Sequence, residues 1–109
     1  MEALDGERAS GIVIDTDVDA TGGPVVSLSG ELDSSNAGSL DATLTAITAQ
    51  HPERLTFELS GLRFMDSAGI AVLLRAAARV SVVHLRNPSP IVRRVVEVTG
   101  LSDVLPIES

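Results

Sequence analysis

The chain has no cysteine, tryptophan or tyrosine, and its two phenylalanines, Phe57 and Phe64, are its only aromatic residues. The absence of cysteine excludes disulfide bonds, zinc–thiolate sites and thiol catalysis. Two rings provide no platform on which nucleic-acid bases or sugars stack, and they predict an aliphatic core. A cysteine-free chain fits the reducing cytoplasm of a bacterium, where we expect the protein to act.

Long apolar runs and basic residues are also scarce. No run approaches the ~18 apolar residues of a membrane span, and residues 1–10 lack the apolar core of a signal peptide. Eight basic residues face fifteen acidic ones, for a net charge of −7. This charge disfavours nucleic acid and anionic membranes as partners. The acidity either keeps the chain soluble or complements a basic partner surface.

The pattern of apolar residues predicts a flexible tail over residues 1–10 and one α/β domain over residues 11–109. The elements alternate as strand, strand, helix, strand, helix, strand, helix. This order predicts a mixed, mostly parallel sheet of four to five strands flanked by three to four helices. The glycines and proline of residues 22–24 predict that the first two strands form a hairpin.

Polar residues mark the starts of the predicted helices. Ser34 or Ser35 is expected to cap the first helix, and Ser89, followed by proline, the last one, which ends before Gly100. Residues 60–65 are expected to form a loop between the third strand and the second helix.

The stretch FMDSAGI, residues 64–70, lies between a predicted buried strand and an amphipathic helix. Ser67 is expected at or near the helix N-cap, where free N–H groups and the helix dipole favour an anion such as a phosphate. Asp66 is adjacent, and Asp33 comes near if it ends the neighbouring strand. Phosphate beside these carboxylates would form a negative patch that repels a docked partner. The alternative is that Asp66 and Ser67 only cap the helix.

Four segments in this order resemble the STAS domains of anti-sigma-factor antagonists over residues 11–107: GELD at 30–33, FMDSAGI at 64–70, PIVRRV at 90–95 and TGL at 99–101. The resemblance implies a STAS fold and a non-enzymatic protein. In its unphosphorylated form such a protein binds and sequesters an anti-sigma factor, which frees the sigma factor. The anti-sigma factor is also a serine kinase that would switch the antagonist off by phosphorylating Ser67, and a metal-dependent serine phosphatase reverses this step.

The same resemblance implies a partner-binding surface formed by Asp33, Asp66, Ser67, Ala68 and Gly69. We expect neither cofactor nor metal, and nothing in the sequence demands more than a monomer. The first strand and the turn at residues 19–24 diverge most from the family. Since this region helps to choose the partner, the identity of the partner stays open. A second hypothesis is a STAS subunit of a larger assembly, such as a lipid-transport complex or a stress-sensing particle.

Other chemistry is weakly supported. Residues 15–19 begin like a calcium loop, but Ala20 and Val26 replace the glycine and glutamate of an EF-hand. Ser67 lacks the Gly-x-Ser-x-Gly context of hydrolases, and a catalytic triad would need His51 or His84 beside it. No Walker loop or dinucleotide fingerprint occurs, so any ATP is expected to belong to the partner.

Overall fold

The computed structural model describes residues 6–9, 11–101 and 104–108. These residues contain six strands and three helices, joined by turns and loops. The elements are β1 (Gly6–Ala9), β2 (Ile12–Val18), β3 (Pro24–Leu32), α1 (Ala37–Thr48), β4 (Arg54–Met65), α2 (Ser67–Ala77), β5 (Val82–Arg86), α3 (Pro90–Val98) and β6 (Ile107–Glu108).

The strands lie in one sheet in the order in which they occur along the chain. The pairs β1–β2 and β2–β3 are antiparallel, and the pairs from β3 to β6 are parallel. Each parallel pair is joined through one helix, as expected for crossover units. The predicted α/β class, the mostly parallel sheet and the β2–β3 hairpin are therefore confirmed.

The sheet has one strand more than the predicted upper limit, because residues 6–9 of the predicted tail form β1. This strand pairs with β2 from Gly6 opposite Asp15 to Ala9 opposite Ile12. Gly11, with a φ of +80°, permits the tight turn between the two strands. The sequence of β1 lacks an alternation of apolar and polar residues, so its backbone pairing could not be read from the pattern. The other residues of the predicted tail lie outside the described residues.

The core lies on one face of the sheet. Alternate strand positions are almost wholly buried there, among them Ile14, Leu28, Phe57 and Leu85. All three helices add side chains to the same cluster, including Leu40, Leu73 and Val92. The intervening strand positions carry polar residues such as Asp15, Ser27, Glu58 and Arg86. The domain therefore has a layer of helices on one sheet face and a polar surface on the other.

Residues 60–65, predicted as a loop, are the second half of β4. Ser27 pairs with Glu58 and Leu32 with Met65, so five steps along β3 match seven along β4. The two additional residues lie in two register shifts, which are β-bulges. Bulges break the two-residue period by which strands are predicted, so the sequence pattern ended this strand too early.

The ends of two helices test the predicted caps. The N-cap of α1 is Asn36 rather than Ser34 or Ser35. Ser89 caps α3 as predicted, since its Oγ accepts a hydrogen bond from the N–H of Val92 at 3.3 Å. None of the three described helices is long and apolar enough to span a membrane.

The turn between β2 and β3 is organised by Asp19. Its Oδ1 accepts hydrogen bonds from the N–H and hydroxyl of Thr21, at 2.9 and 2.7 Å, and from the N–H of Gly23 at 2.9 Å. Arg54, at the start of β4, places its Nη2 3.2 Å from Asp19 Oδ2. The hydroxyl of Thr21, with these other donors, lowers the pKa of Asp19 to about 2. The carboxylate therefore serves its own turn and links the hairpin to β4.

Replacing Asp19 with asparagine should change how stability depends on pH. A carboxyl whose pKa is lower in the folded chain than its ordinary value of 3.8 stabilises the fold fully above that value. This stabilisation is lost as the pH falls towards about 2. We expect the free energy of unfolding, measured in urea between about pH 5 and pH 2, to fall less steeply for Asp19→Asn than for the wild type. Asp17→Asn removes an exposed carboxylate from the same hairpin that accepts one hydrogen bond, from the N–H of Val18 at 2.8 Å, and should change the slope less than Asp19→Asn does. Equal slopes for all three proteins would contradict this role.

Candidate functional site

The candidate site lies where β3 and β4 end side by side. The two strands are parallel, and their last residues, Leu32 and Met65, are paired. Asp33 and Asp66 directly follow these residues, and the N–H of Asp66 donates to the carbonyl oxygen of Leu32 at 3.1 Å. Both carboxylates therefore lie at one edge of the sheet, as expected if Asp33 ends the strand next to Asp66. From this edge the chain enters α1 and α2.

Asp66, not Ser67, is the N-cap of α2. Its Oδ1 accepts hydrogen bonds from the N–H groups of Ala68 at 2.9 Å and Gly69 at 3.2 Å. Ser67 is the first residue of the helix and is exposed. The capping role that the sequence left open between two residues therefore belongs to Asp66, and the helix start does not depend on the hydroxyl of Ser67.

Asp33 is held by a turn of similar design. Its Oδ1 accepts hydrogen bonds from the N–H of Ser35 at 2.9 Å and from the Ser35 hydroxyl at 2.6 Å. The Ser35 hydroxyl and N–H together hold the pKa of Asp33 below its ordinary value. Asp33 is therefore a fixed negative charge near neutral pH.

Buried Asn36 fixes the backbone beneath Asp33. Its Oδ1 accepts from the N–H of Asp33 at 3.0 Å, and its Nδ2 donates to the carbonyl oxygen of Glu31 at 2.8 Å. These bonds satisfy backbone groups where β3 turns into α1, a place where buried polar groups need partners. Sequence reasoning missed this residue. The only signal was an asparagine directly before the first apolar residue of the helix.

Gly69 is buried under the first turn of α2. A Cβ at this position would lie 2.7 Å from the Cγ and Cδ2 of Leu32 and 2.9 Å from the Cγ of Met65. Glycine therefore lets the helix sit directly on the ends of both strands. Among the five predicted site residues, Ser67 is exposed, Asp33, Asp66 and Ala68 are half-buried, and Gly69 lies underneath them.

The histidines do not join this site. His84 pairs with Thr56, nine residues before Met65 along β4, which is about 30 Å of strand. His51 follows α1 at the end away from the site, beyond a helix of 12 residues or about 18 Å. Neither ring is placed to activate Ser67 as a nucleophile. Within the described residues, no group of three or more His, Cys, Asp or Glu side chains is arranged to hold a metal ion.

A family model described as the Mlab, STAS domain matches residues 16–106, which is most of the chain. The chain therefore belongs to the STAS domain family. It is 34% identical over 82 residues to the anti-sigma F factor antagonist of Lysinibacillus sphaericus, covering 71% of this chain and 70% of that protein.

Solved structures agree with this assignment. An anti-sigma factor antagonist from Mycobacterium paratuberculosis has a TM-score of 0.82 and 28% identity, covering 92% of this chain and 87% of that one. The anti-sigma factor antagonist SpoIIAA in its unphosphorylated form has a TM-score of 0.75 and 25% identity, covering 88% of each chain. The resemblance drawn from the four sequence motifs is thus confirmed.

Replacing Gly69 with alanine tests the close packing under the site. The added Cβ would meet Leu32 at 2.7 Å, so we expect the free energy of unfolding, measured in urea, to fall by about 1–3 kcal/mol. Gly38→Ala is the matched control, because Gly38 lies in α1 and a Cβ there would have nothing within 4 Å. That substitution should leave stability unchanged or raise it by up to about 1 kcal/mol. Similar losses from both substitutions would show that contact with the strand ends is not what requires glycine.

Proposed function

We propose that this protein is an anti-sigma-factor antagonist that acts as a binding module without catalytic activity. Its unphosphorylated form binds and sequesters an anti-sigma factor and thereby frees the sigma factor. The observation that carries the proposal is the exposed hydroxyl of Ser67 at the first position of α2, on a helix start that Asp66 already caps. The relatives' names, which describe antagonists of anti-sigma factors, supply the class of partner.

Phosphorylation of Ser67 is the proposed switch. A phosphoserine adds about −1.5 to −2 charges, and the positive end of the α2 dipole offsets part of this charge. Since Asp66 rather than Ser67 caps the helix, the modification leaves the cap intact. The fold is therefore expected to accept the phosphate.

The proposed consequence of the phosphate is weaker binding of the partner. Asp33 and Asp66 already place two carboxylates at this edge of the sheet. A phosphate at Ser67 concentrates negative charge on a surface that the partner must desolvate to bind. In the complex this phosphate would face the negatively charged nucleotide that the partner holds for the transfer, and like charges opposed in this way weaken a complex.

The partner in this proposal is a serine kinase as well as an anti-sigma factor. It brings the ATP, and this chain contributes only the acceptor hydroxyl. Asp33, Asp66 and Ser67 face the partner, Ala68 lies beside them, and Gly69 acts from below by seating the helix. A serine phosphatase removes the phosphate and restores binding, and one copy of the chain is sufficient for each complex.

The matching family model is described only as the Mlab, STAS domain and names no anti-sigma factor, so it also fits a second candidate function. In this alternative the chain is a STAS subunit of a larger assembly, such as a lipid-transport complex. The same sheet edge would bind another subunit, and no kinase would be needed. Phosphorylation therefore separates the two candidates.

Incubation with the cognate anti-sigma factor and ATP should add one phosphate to the intact mass of the protein. Ser67→Ala should abolish the added mass, because it removes the acceptor oxygen. Ser81→Ala is the control, since Ser81 is an exposed serine next to the start of β5, at the opposite end of the sheet. The proposed switch would be overturned if the phosphate were on another residue, or if the cognate kinase added no phosphate at all.

Ser67→Asp should fold normally and bind the anti-sigma factor at least tenfold more weakly, a loss of about 1.4 kcal/mol. The reason is a negative charge at the acceptor position itself, which would face the nucleotide held by the partner. Titration calorimetry gives the affinity, and urea unfolding checks the fold. Ser81→Asp adds the same charge at the far end of the sheet and should bind like the wild type. Equal affinity for Ser67→Asp and the wild type would refute the electrostatic mechanism.

A further inference from the structure

The second bulge of β4 controls which side chains leave the core next to the candidate site. Gly30 pairs with Leu62, but Glu31 pairs with Phe64, so Arg63 is the additional residue between them. In a regular strand Phe64 would follow the inward direction of Leu62. Because of the bulge, Arg63 and Phe64 are both exposed, and Met65 returns to the core. The bulge therefore turns an aromatic ring outward two residues before Asp66 and three before Ser67.

This outward ring differs from the other aromatic ring of the chain. The other phenylalanine, Phe57, is fully buried, whereas Phe64 is 43% exposed. Exposed Val18 and Val82 lie at the opposite end of the sheet, where β2 ends and β5 begins, and exposed Ile91 and Val98 lie on α3. Bulges near functional sites commonly re-aim a side chain, and aromatic side chains, phenylalanine among them, are enriched at the buried centre of protein interfaces.

The surroundings of Phe64 are charged. Glu31, its partner in the register, is exposed, and its carboxylate lies 3.9 Å from the guanidinium of Arg63. Asp33 and Asp66 follow the ends of the same two strands. Three carboxylates and one guanidinium thus accompany the ring, with an excess of negative charge. A complementary partner surface would have an apolar pocket with a basic rim.

We propose that Phe64 is the apolar anchor of the docking surface. Its ring enters an apolar pocket with a basic rim on the anti-sigma factor and so brings Ser67, three residues further along, to the kinase active site. This inference rests on the proposed function and adds a positioning residue to it. Burial of the Phe64 ring supplies affinity, and the basic rim complements the carboxylates around it. A phosphate at Ser67 would instead oppose the negatively charged nucleotide in the kinase active site.

Phe64→Ala should weaken binding to the anti-sigma factor that phosphorylates Ser67 at least tenfold. In the phosphorylation reaction the KM for the antagonist should rise by a similar factor, with kcat within about twofold, because the ring acts in docking and not in phosphate transfer. Phe64→Leu keeps an apolar side chain and should recover part of the affinity. Val18→Ala, which truncates an exposed apolar residue at the far end of the sheet, is the control and should change neither quantity.

The outcomes separate the two proposals. If the wild type is phosphorylated and Ser67→Asp binds weakly, but Phe64→Ala binds like the wild type, the anchor is wrong and the proposed function stands. If Phe64→Ala lowers kcat and leaves the KM unchanged, the positioning role is wrong. If the kinase neither binds nor phosphorylates the wild type, both proposals fail. Urea unfolding of Phe64→Ala should match that of the wild type, since the ring is exposed; a loss of stability that explains the weaker binding would also overturn the anchor.

Discussion

The parallel pairing of β3 with β4 is the constraint on which the rest of the site depends. It ends with Leu32 opposite Met65, so that the next residue of each strand is an aspartate at the same edge of the sheet. The two helices that start there inherit their positions from this register. Gly69 completes the arrangement, because only a residue without a side chain lets α2 rest on both strand ends. A shift of one residue in the pairing of β3 with β4 would move the two carboxylates apart along the strands. It would also remove the contact of α2 with both strand ends.

Capping and switching are assigned to adjacent residues. The carboxylate of Asp66 accepts hydrogen bonds from the N–H groups of the first turn. Ser67 is exposed and makes no contribution to the cap. A change of charge at Ser67 can therefore alter the surface without undoing the helix. In the proposed function, this separation allows one fold to exist in a binding and a non-binding form.

The sequence predicted those parts of the fold that follow from periodicity and caps. The hairpin of β2 and β3, the cap of α3 at Ser89 and the start of α2 next to Ser67 are local features, whereas the role of Ser67 came from the motif resemblance. The parts that it missed depend on contacts between distant segments. The end of β4 is hidden by bulges against β3, Asn36 acts through the backbone of Glu31, and Gly69 is required by the side chain of Leu32.

The most direct measurement compares one preparation of the protein before and after phosphorylation at Ser67, in its affinity for the anti-sigma factor and in its free energy of unfolding. A switch that acts at the surface predicts a fall in affinity of at least tenfold, with a change in the free energy of unfolding of less than about 1 kcal/mol. An unchanged affinity would contradict the proposed switch. So would a loss of folding stability large enough to explain the weaker binding.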